Sequence, residues 1–149
     1  MSDRQEQQIH GSAISLGGRG CLIVGEPGSG KSALAIGMLT LGADLIADDQ
    51  VRLTRTGSTV MLSAPDDLPA LIEGRGVGLL RVELGAPAPL ALIVDLDHTP
   101  DQRLPRARQR DLLGLSHRVS FARGVHNLPA ILRLALLGGL VDPENADLT

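Results

Sequence analysis

Gly25-Glu26-Pro27-Gly28-Ser29-Gly30-Lys31-Ser32 meets every fixed position of the phosphate-loop pattern G-x-x-x-x-G-K-[ST]. Each residue type has a physical reason to be there. The glycines permit backbone angles that a side chain forbids, so successive N–H groups can turn inward toward a β-phosphate. A helix starting at Lys31 adds the partial positive charge of its N-terminus. Lys31 can reach β- and γ-phosphate oxygens, and Ser32 can ligate Mg²⁺. The whole octapeptide, Gly25, Glu26, Pro27, Gly28, Ser29, Gly30, Lys31 and Ser32, is therefore the expected nucleotide cradle. The dinucleotide fingerprint G-x-G-x-x-G does not fit this stretch.

The flanks supply the context the motif requires. Cys21–Val24 is an apolar run of strand length that ends at Gly25. Lys31–Leu41 reads as a helix, with Leu34, Met38 and Leu41 on one stripe and Gly42 as its C-terminal cap. Gly37 inside that helix costs about 1 kcal/mol against alanine, which points to a close packing contact. Upstream, Ile9–Leu16 reads as one short strand and Gly17-Gly18 as a turn. Downstream, Leu45–Ala47 is the next strand, and Val51–Thr54 with Thr59–Leu62 forms a hairpin around Thr56-Gly57-Ser58. Val77–Leu84, Leu90–Leu96 and Arg118–Phe121 are further strand candidates. Thr99–Arg110 reads as an Arg-rich loop and Leu128–Leu137 as a closing helix. The expected fold is an α/β, P-loop kinase-like domain: a mixed, largely strand-rich sheet with few flanking helices. Residues 1–141 make a single domain in this reading, and 142–149 a frayed polar tail.

Composition narrows the function. The 149 residues are 43% hydrophobic, enough for one buried core, and no run approaches the roughly 20 apolar residues of a membrane span. With no signal-peptide core and a lone Cys21, the chain reads as cytoplasmic. A formal charge of −3 gives no reason to bind nucleic acid, and a single aromatic residue, Phe121, excludes a base-stacking platform. Lys31 is the one lysine among the 14 basic residues. The planar fork of arginine cannot replace a compact ammonium in a tight phosphate cradle.

A phosphate-transfer enzyme of this type also needs an acid near the loop, to hold Mg²⁺ or take a proton. Two strand ends compete. Leu92-Ile93-Val94-Asp95 has the shape of a Walker B strand. Leu45-Ile46-Ala47-Asp48-Asp49 arrives directly after the loop's helix, and a right-handed crossover brings it beside or close to the P-loop strand. Adjacent carboxylates repel one another unless a cation is near, which favours the Asp48-Asp49 pair.

With these residues in place the sequence resembles the HPr kinase/phosphorylases, bacterial enzymes that phosphorylate a serine of the phosphocarrier protein HPr and remove it by phosphorolysis. The resemblance runs from about Ile9 to Val141. It rests on His10-Gly11, the P-loop, Ala47-Asp48-Asp49, Leu71-Ile72-Glu73-Gly74-Arg75-Gly76-Val77-Gly78 and Asp101-Gln102-Arg103-Leu104. It implies Asp49 as the base that takes the serine proton, with Asp48 close behind, and His10 as the group that orients that acid. It further implies Ser32, Asp48 and Glu73 as the Mg²⁺ set, Arg75 as part of the Glu-x-Arg-Gly signature, and Arg103 as the arginine that neutralises the transferring phosphoryl group. The implied cofactors are ATP and Mg²⁺. The implied partners are an HPr-like protein, ADP, and inorganic phosphate or pyrophosphate, with a hexamer as the assembly.

The pattern departs from the family at both ends. His10-Gly11 comes after only nine residues, as in a short form lacking the N-terminal domain. The family's Gly-Arg-Asn block corresponds at best to Gly124-Val125-His126-Asn127, and its C-terminal helix is largely missing after Val141. Two rivals to a protein serine kinase are a small-molecule P-loop kinase and a non-catalytic ATP-binding regulator.

Overall fold

The computed structural model describes residues 5–66 and 69–144. Most of the expected tail, residues 145–149, lies outside them. Eleven strands and two helices follow one another among the described residues: β1 (Gln5–His10), β2 (Ser12–Leu16), β3 (Arg19–Val24), α1 (Lys31–Thr40), β4 (Asp44–Ala47), β5 (Gln50–Thr56), β6 (Thr59–Ser63), β7 (Leu71–Gly74), β8 (Gly78–Arg81), β9 (Ala88–Asp95), β10 (Arg108–Leu112), β11 (Leu115–Phe121) and α2 (Leu128–Gly138). Nine strands form one mixed sheet in the order β1-β5-β6-β9-β3-β2-β4, with β11 alongside β9 and β10 alongside β11. β7 and β8 make a separate hairpin. The α/β, strand-rich class expected from sequence is the class observed.

β3 from Gly20 to Val24 and β9 from Leu92 to Val94 are continuously apolar because both of their faces are covered there. Cys21, Ile23, Leu92 and Val94 pack with Leu34, Ala35 and Met38 of α1 and with Leu132 and Leu136 of α2. Leu22 and Ile93 point the other way, onto Val51, Leu53, Val60 and Leu62, where the antiparallel strands β5 and β6 curl over the face the helices leave bare. Cys21 is fully buried on the helix-covered face, and burial pushes its thiol pKa up to about 12. Among the described residues no helix is long and apolar enough to cross a membrane.

α1 ends as its glycine suggests. The Gly42 N–H donates to Leu39 O at 3.2 Å and the Ala43 N–H to Met38 O at 3.0 Å. With Gly42 at φ 96° this is a Schellman cap. Gly37 also has its expected contact, since a Cβ there would stand 2.9 Å from Cγ of Pro129 in α2. Substituting Gly37→Leu is therefore expected to wedge the helices apart. It should destabilise the chain by about 1–3 kcal/mol, measurable as a lowered thermal midpoint, even though leucine is the better helix former.

Four local readings need correction. The expected single strand Ile9–Leu16 breaks at Gly11, where the chain leaves β5 to pair with β3 and β4. A Cβ at Gly11 would lie 2.8 Å from Ile23 O, so only glycine lets the chain cross so close to β3. The strand expected over Val77–Leu84 shrinks to β8, because the four-residue β7 pairs it only as far as Arg81, and Leu84 makes an isolated bridge to Leu45 instead. The Thr99–Arg110 loop ends early, since Arg108 already pairs with Val119 in the β10–β11 hairpin. The last strand starts at Leu115 rather than Arg118 for the same reason.

Candidate phosphate-binding and transfer site

Because β2 runs antiparallel to both β3 and β4, those two strands are parallel and end at the same edge of the sheet. The P-loop leaves that edge from β3, and Asp48-Asp49 leaves it from β4, one strand away. The Asp48 carboxylate thus reaches Ser32 in the first turn of α1, and Asp49 follows it at the same sheet edge, where ligands of such sheets bind.

The loop has the geometry its glycines allow. Gly28 and Gly30 sit at φ 86° and 103°, angles that side chains rarely tolerate. The Ser29 N–H donates to Glu26 O at 3.0 Å, tightening the turn. The first N–H groups of α1 have no acceptor within the helix and lie just behind the loop. Lys31, only 8% exposed, turns back over the loop, and its Nζ donates to Gly25 O at 2.7 Å and Glu26 O at 3.0 Å. The ammonium is thereby fixed over the cradle, and its burial is compensated by two carbonyl oxygens.

The two acids differ in what they touch. Ser32 Oγ lies 3.1 Å from both carboxylate oxygens of Asp48, and Ser12 Oγ donates to Asp48 Oδ1 at 2.6 Å. Asp48 is half-buried and wired to the first turn of α1. Asp49 is exposed, at a left-handed φ of 72°, and its Oδ1 lies 3.3 Å from His10 Nδ1. Gly11 locks this arrangement, donating its N–H to Asp49 O at 3.1 Å. The His-Gly block and the acid pair, 38 positions apart in sequence, therefore form one unit.

The oxygens of Ser32 and Asp48 suit a hard cation such as Mg²⁺, which takes one or two protein oxygens and completes its octahedron with phosphate and water. Among the described residues no three His, Cys, Asp or Glu side chains gather into a metal cage.

Other sequence candidates stand apart. Ile72 of β7 is buried against α1 residues while Glu73, pointing the opposite way, is exposed. Arg75 lies in the exposed turn of the β7–β8 hairpin, and Arg103 in an exposed bend after β9. None of the hydrogen bonds or ion pairs among the described residues ties Glu73, Arg75 or Arg103 to the acid pair or the loop. The rival strand end, Asp95, is only 9% exposed, and its carboxylate is engaged by Asp97 N–H and His98 rather than by Ser32. Ser12 was missed by sequence reasoning. It carries no motif, and only the pairing of β2 with β4 aims its hydroxyl at Asp48.

Residues 3–86 match the family model of the HPr Serine kinase C-terminal domain. The chain is similar to an HPr kinase/phosphorylase of Burkholderia lata, 40% identical over 119 residues, covering 72% of this chain and 37% of the relative. A second HPr kinase/phosphorylase, from Limosilactobacillus reuteri, is 37% identical over 113 residues, covering 70% of this chain and 35% of the relative. The chain thus spans a little over a third of the length of these relatives. Among solved structures, the Hpr(Ser) kinase/phosphatase of Coxiella burnetii superposes with a TM-score of 0.75 over 89% of this chain and 94% of that one. At 23% identity that likeness bears on the fold.

Proposed function

The chain belongs to the family of the HPr serine kinase C-terminal domain, and from that membership we propose that it transfers the γ-phosphoryl group of ATP to a serine of an HPr-like phosphocarrier protein in the cytoplasm. The observation that carries this reading is the meeting of Ser32 with the Asp48 carboxylate at 3.1 Å, next to the His10–Asp49 pair. A nucleotide-binding half and a proton-accepting half then share one sheet edge.

The roles follow from the contacts. Lys31 and the loop amides bind and orient the polyphosphate. Ser32 and Asp48 would supply protein oxygens to Mg²⁺, which when bound would offset the charge of the phosphates. Asp49 accepts the proton of the substrate hydroxyl, and His10 holds that carboxylate in place. In reverse, the protonated Asp49 returns the proton to the serine oxygen as inorganic phosphate takes the phosphoryl group. Arg103 acts on the transferring group only if its exposed bend moves in when the protein substrate docks.

The test mixes purified chain, γ-labelled Mg-ATP and the organism's own HPr-like protein. The expected product is a phosphoserine on the acceptor, located by mass. Tight ATP binding without transfer to any acceptor would favour a nucleotide-binding regulator. The exposure of Glu73, Arg75 and Arg103, which among the described residues make no bond to the loop or the acid pair, is the observation on that side. Label on a small metabolite instead of the protein would favour a small-molecule kinase.

A further inference from the structure

Lys31 and Ser32 can work only if the loop ahead of them holds its shape, and the start of that loop is exposed. Its anchorage comes from β9. Val24, the last residue before the loop, pairs in parallel register with Asp95. The chain leaving β9 then stays at the same edge, with Leu96 N–H donating to Val24 O at 3.0 Å. One residue further, Asp97 Oδ1 accepts the N–H of Glu26 at 2.9 Å.

Asp97 is itself braced. Its N–H donates to Asp95 Oδ1 at 2.8 Å, and Asp95 Oδ2 lies 2.9 Å from His98 Nδ1. Ala122 N–H donates to Asp95 O at 2.9 Å and Arg123 N–H to His98 O at 3.0 Å, so the end of β11 fastens the same turn. The His98 ring stacks on Phe121 with centroids 4.7 Å apart, and the Arg108 guanidinium sits 4.0 Å from the Phe121 centroid. The chain's single aromatic residue is spent on this brace.

An exposed carboxylate beside a polyanion cradle is electrostatically unfavourable for nucleotide binding. Its position makes sense if the geometry it imposes outweighs the repulsion. We propose that Asp97 is a positioning residue for nucleotide binding, whose side-chain oxygen holds the first turn of the phosphate loop, at Gly25–Glu26, against the end of β9. This rests on the reading of residues 25–32 as a phosphate loop. The acceptor oxygen is what the loop needs, and the charge is incidental.

Two substitutions separate oxygen from charge. Asp97→Ala removes the acceptor, whereas Asp97→Asn keeps a carbonyl oxygen at the same place and removes the charge. Calorimetric titration of the full chain with MgADP should show Asp97→Ala weakened about five- to tenfold, the scale of one typical net hydrogen bond. Asp97→Asn should restore affinity to within about twofold of the parent chain, or better it as the repulsion disappears. Thermal melts establish that each variant is folded. Parent-like affinity in a folded Asp97→Ala, or an Asp97→Asn as weak as the alanine variant, overturns the proposal. If Asp97→Ala does not fold, the asparagine variant alone decides, because a need for the charge predicts lost binding there. Failure of the parent chain to bind MgADP would instead remove the phosphate-loop reading, and this inference with it.

Discussion

A Lys31→Met chain is expected to lose MgATP and MgADP binding by at least about a hundredfold, and phosphoryl transfer by about a thousandfold. Among the described residues the ammonium is the side-chain cation fixed over the loop, held there by Gly25 O and Glu26 O. A buried charge–phosphate contact is far stronger than its surface counterpart, because little water competes with it. Methionine keeps most of the stem's volume and its packing, so the lost term is the charge and its hydrogen bonds. Stability should fall by only about 1 kcal/mol, since the two freed carbonyls lie on an exposed turn that water can reach. Lys31→Arg should fail almost as fully, its planar fork being too large to sit on two carbonyls less than a loop apart. Calorimetry with either nucleotide checks both. A folded Lys31→Met chain that binds MgADP like its parent refutes the phosphate-loop reading outright.

That such a test can be written from eight residues reflects how local the P-loop's determinants are. Strand, glycine turn and helix start are consecutive in sequence, and each is dictated by its own residues. The same holds for the Gly42 cap, for Gly37 against Pro129, and for the hairpin around Gly57. What escaped is long-range. Gly11 breaks a strand because Ile23 O lies behind it, and nothing within Ile9–Leu16 reports that neighbour. Ser12 and Asp97 become functional candidates only once the sheet order sets β2 beside β4 and β9 beside β3. Asp97 and Glu26 are 71 positions apart. Resemblance reached further than periodicity, pairing His10 with Asp49, whose side chains lie 3.3 Å apart. It also grouped Glu73 and Arg103 with the site, where the described contacts leave both in solvent. Family motifs report which residues act together at some stage of a reaction, and a static fold without its substrates need not hold them together.

The acid pair offers the second large effect and the cleaner dissection. Asp49→Asn is expected to keep nucleotide affinity within about twofold while lowering the transfer rate by about 10²–10⁴-fold, the range for a lost general base. The backbone gives no reason for collateral damage. Asp49 occupies a left-handed φ of 72°, a conformation that asparagine accepts at least as readily as aspartate. The amide is isosteric, and its oxygen can still face His10. Asp48→Asn should behave differently. Asp48 receives hydroxyl hydrogen bonds from Ser12 and Ser32, and weakening it disturbs the oxygens available to Mg²⁺. Metal-dependent nucleotide affinity and transfer should then fall together. That contrast, if observed in one pair of titrations and one rate assay, would assign the base to Asp49 and the metal side to Asp48. An Asp49→Asn chain that phosphorylates its acceptor at the parental rate removes Asp49 from the mechanism. One that loses nucleotide as severely as Lys31→Met shows that both carboxylates serve the metal, and the base must then be sought on the docking protein or in solvent.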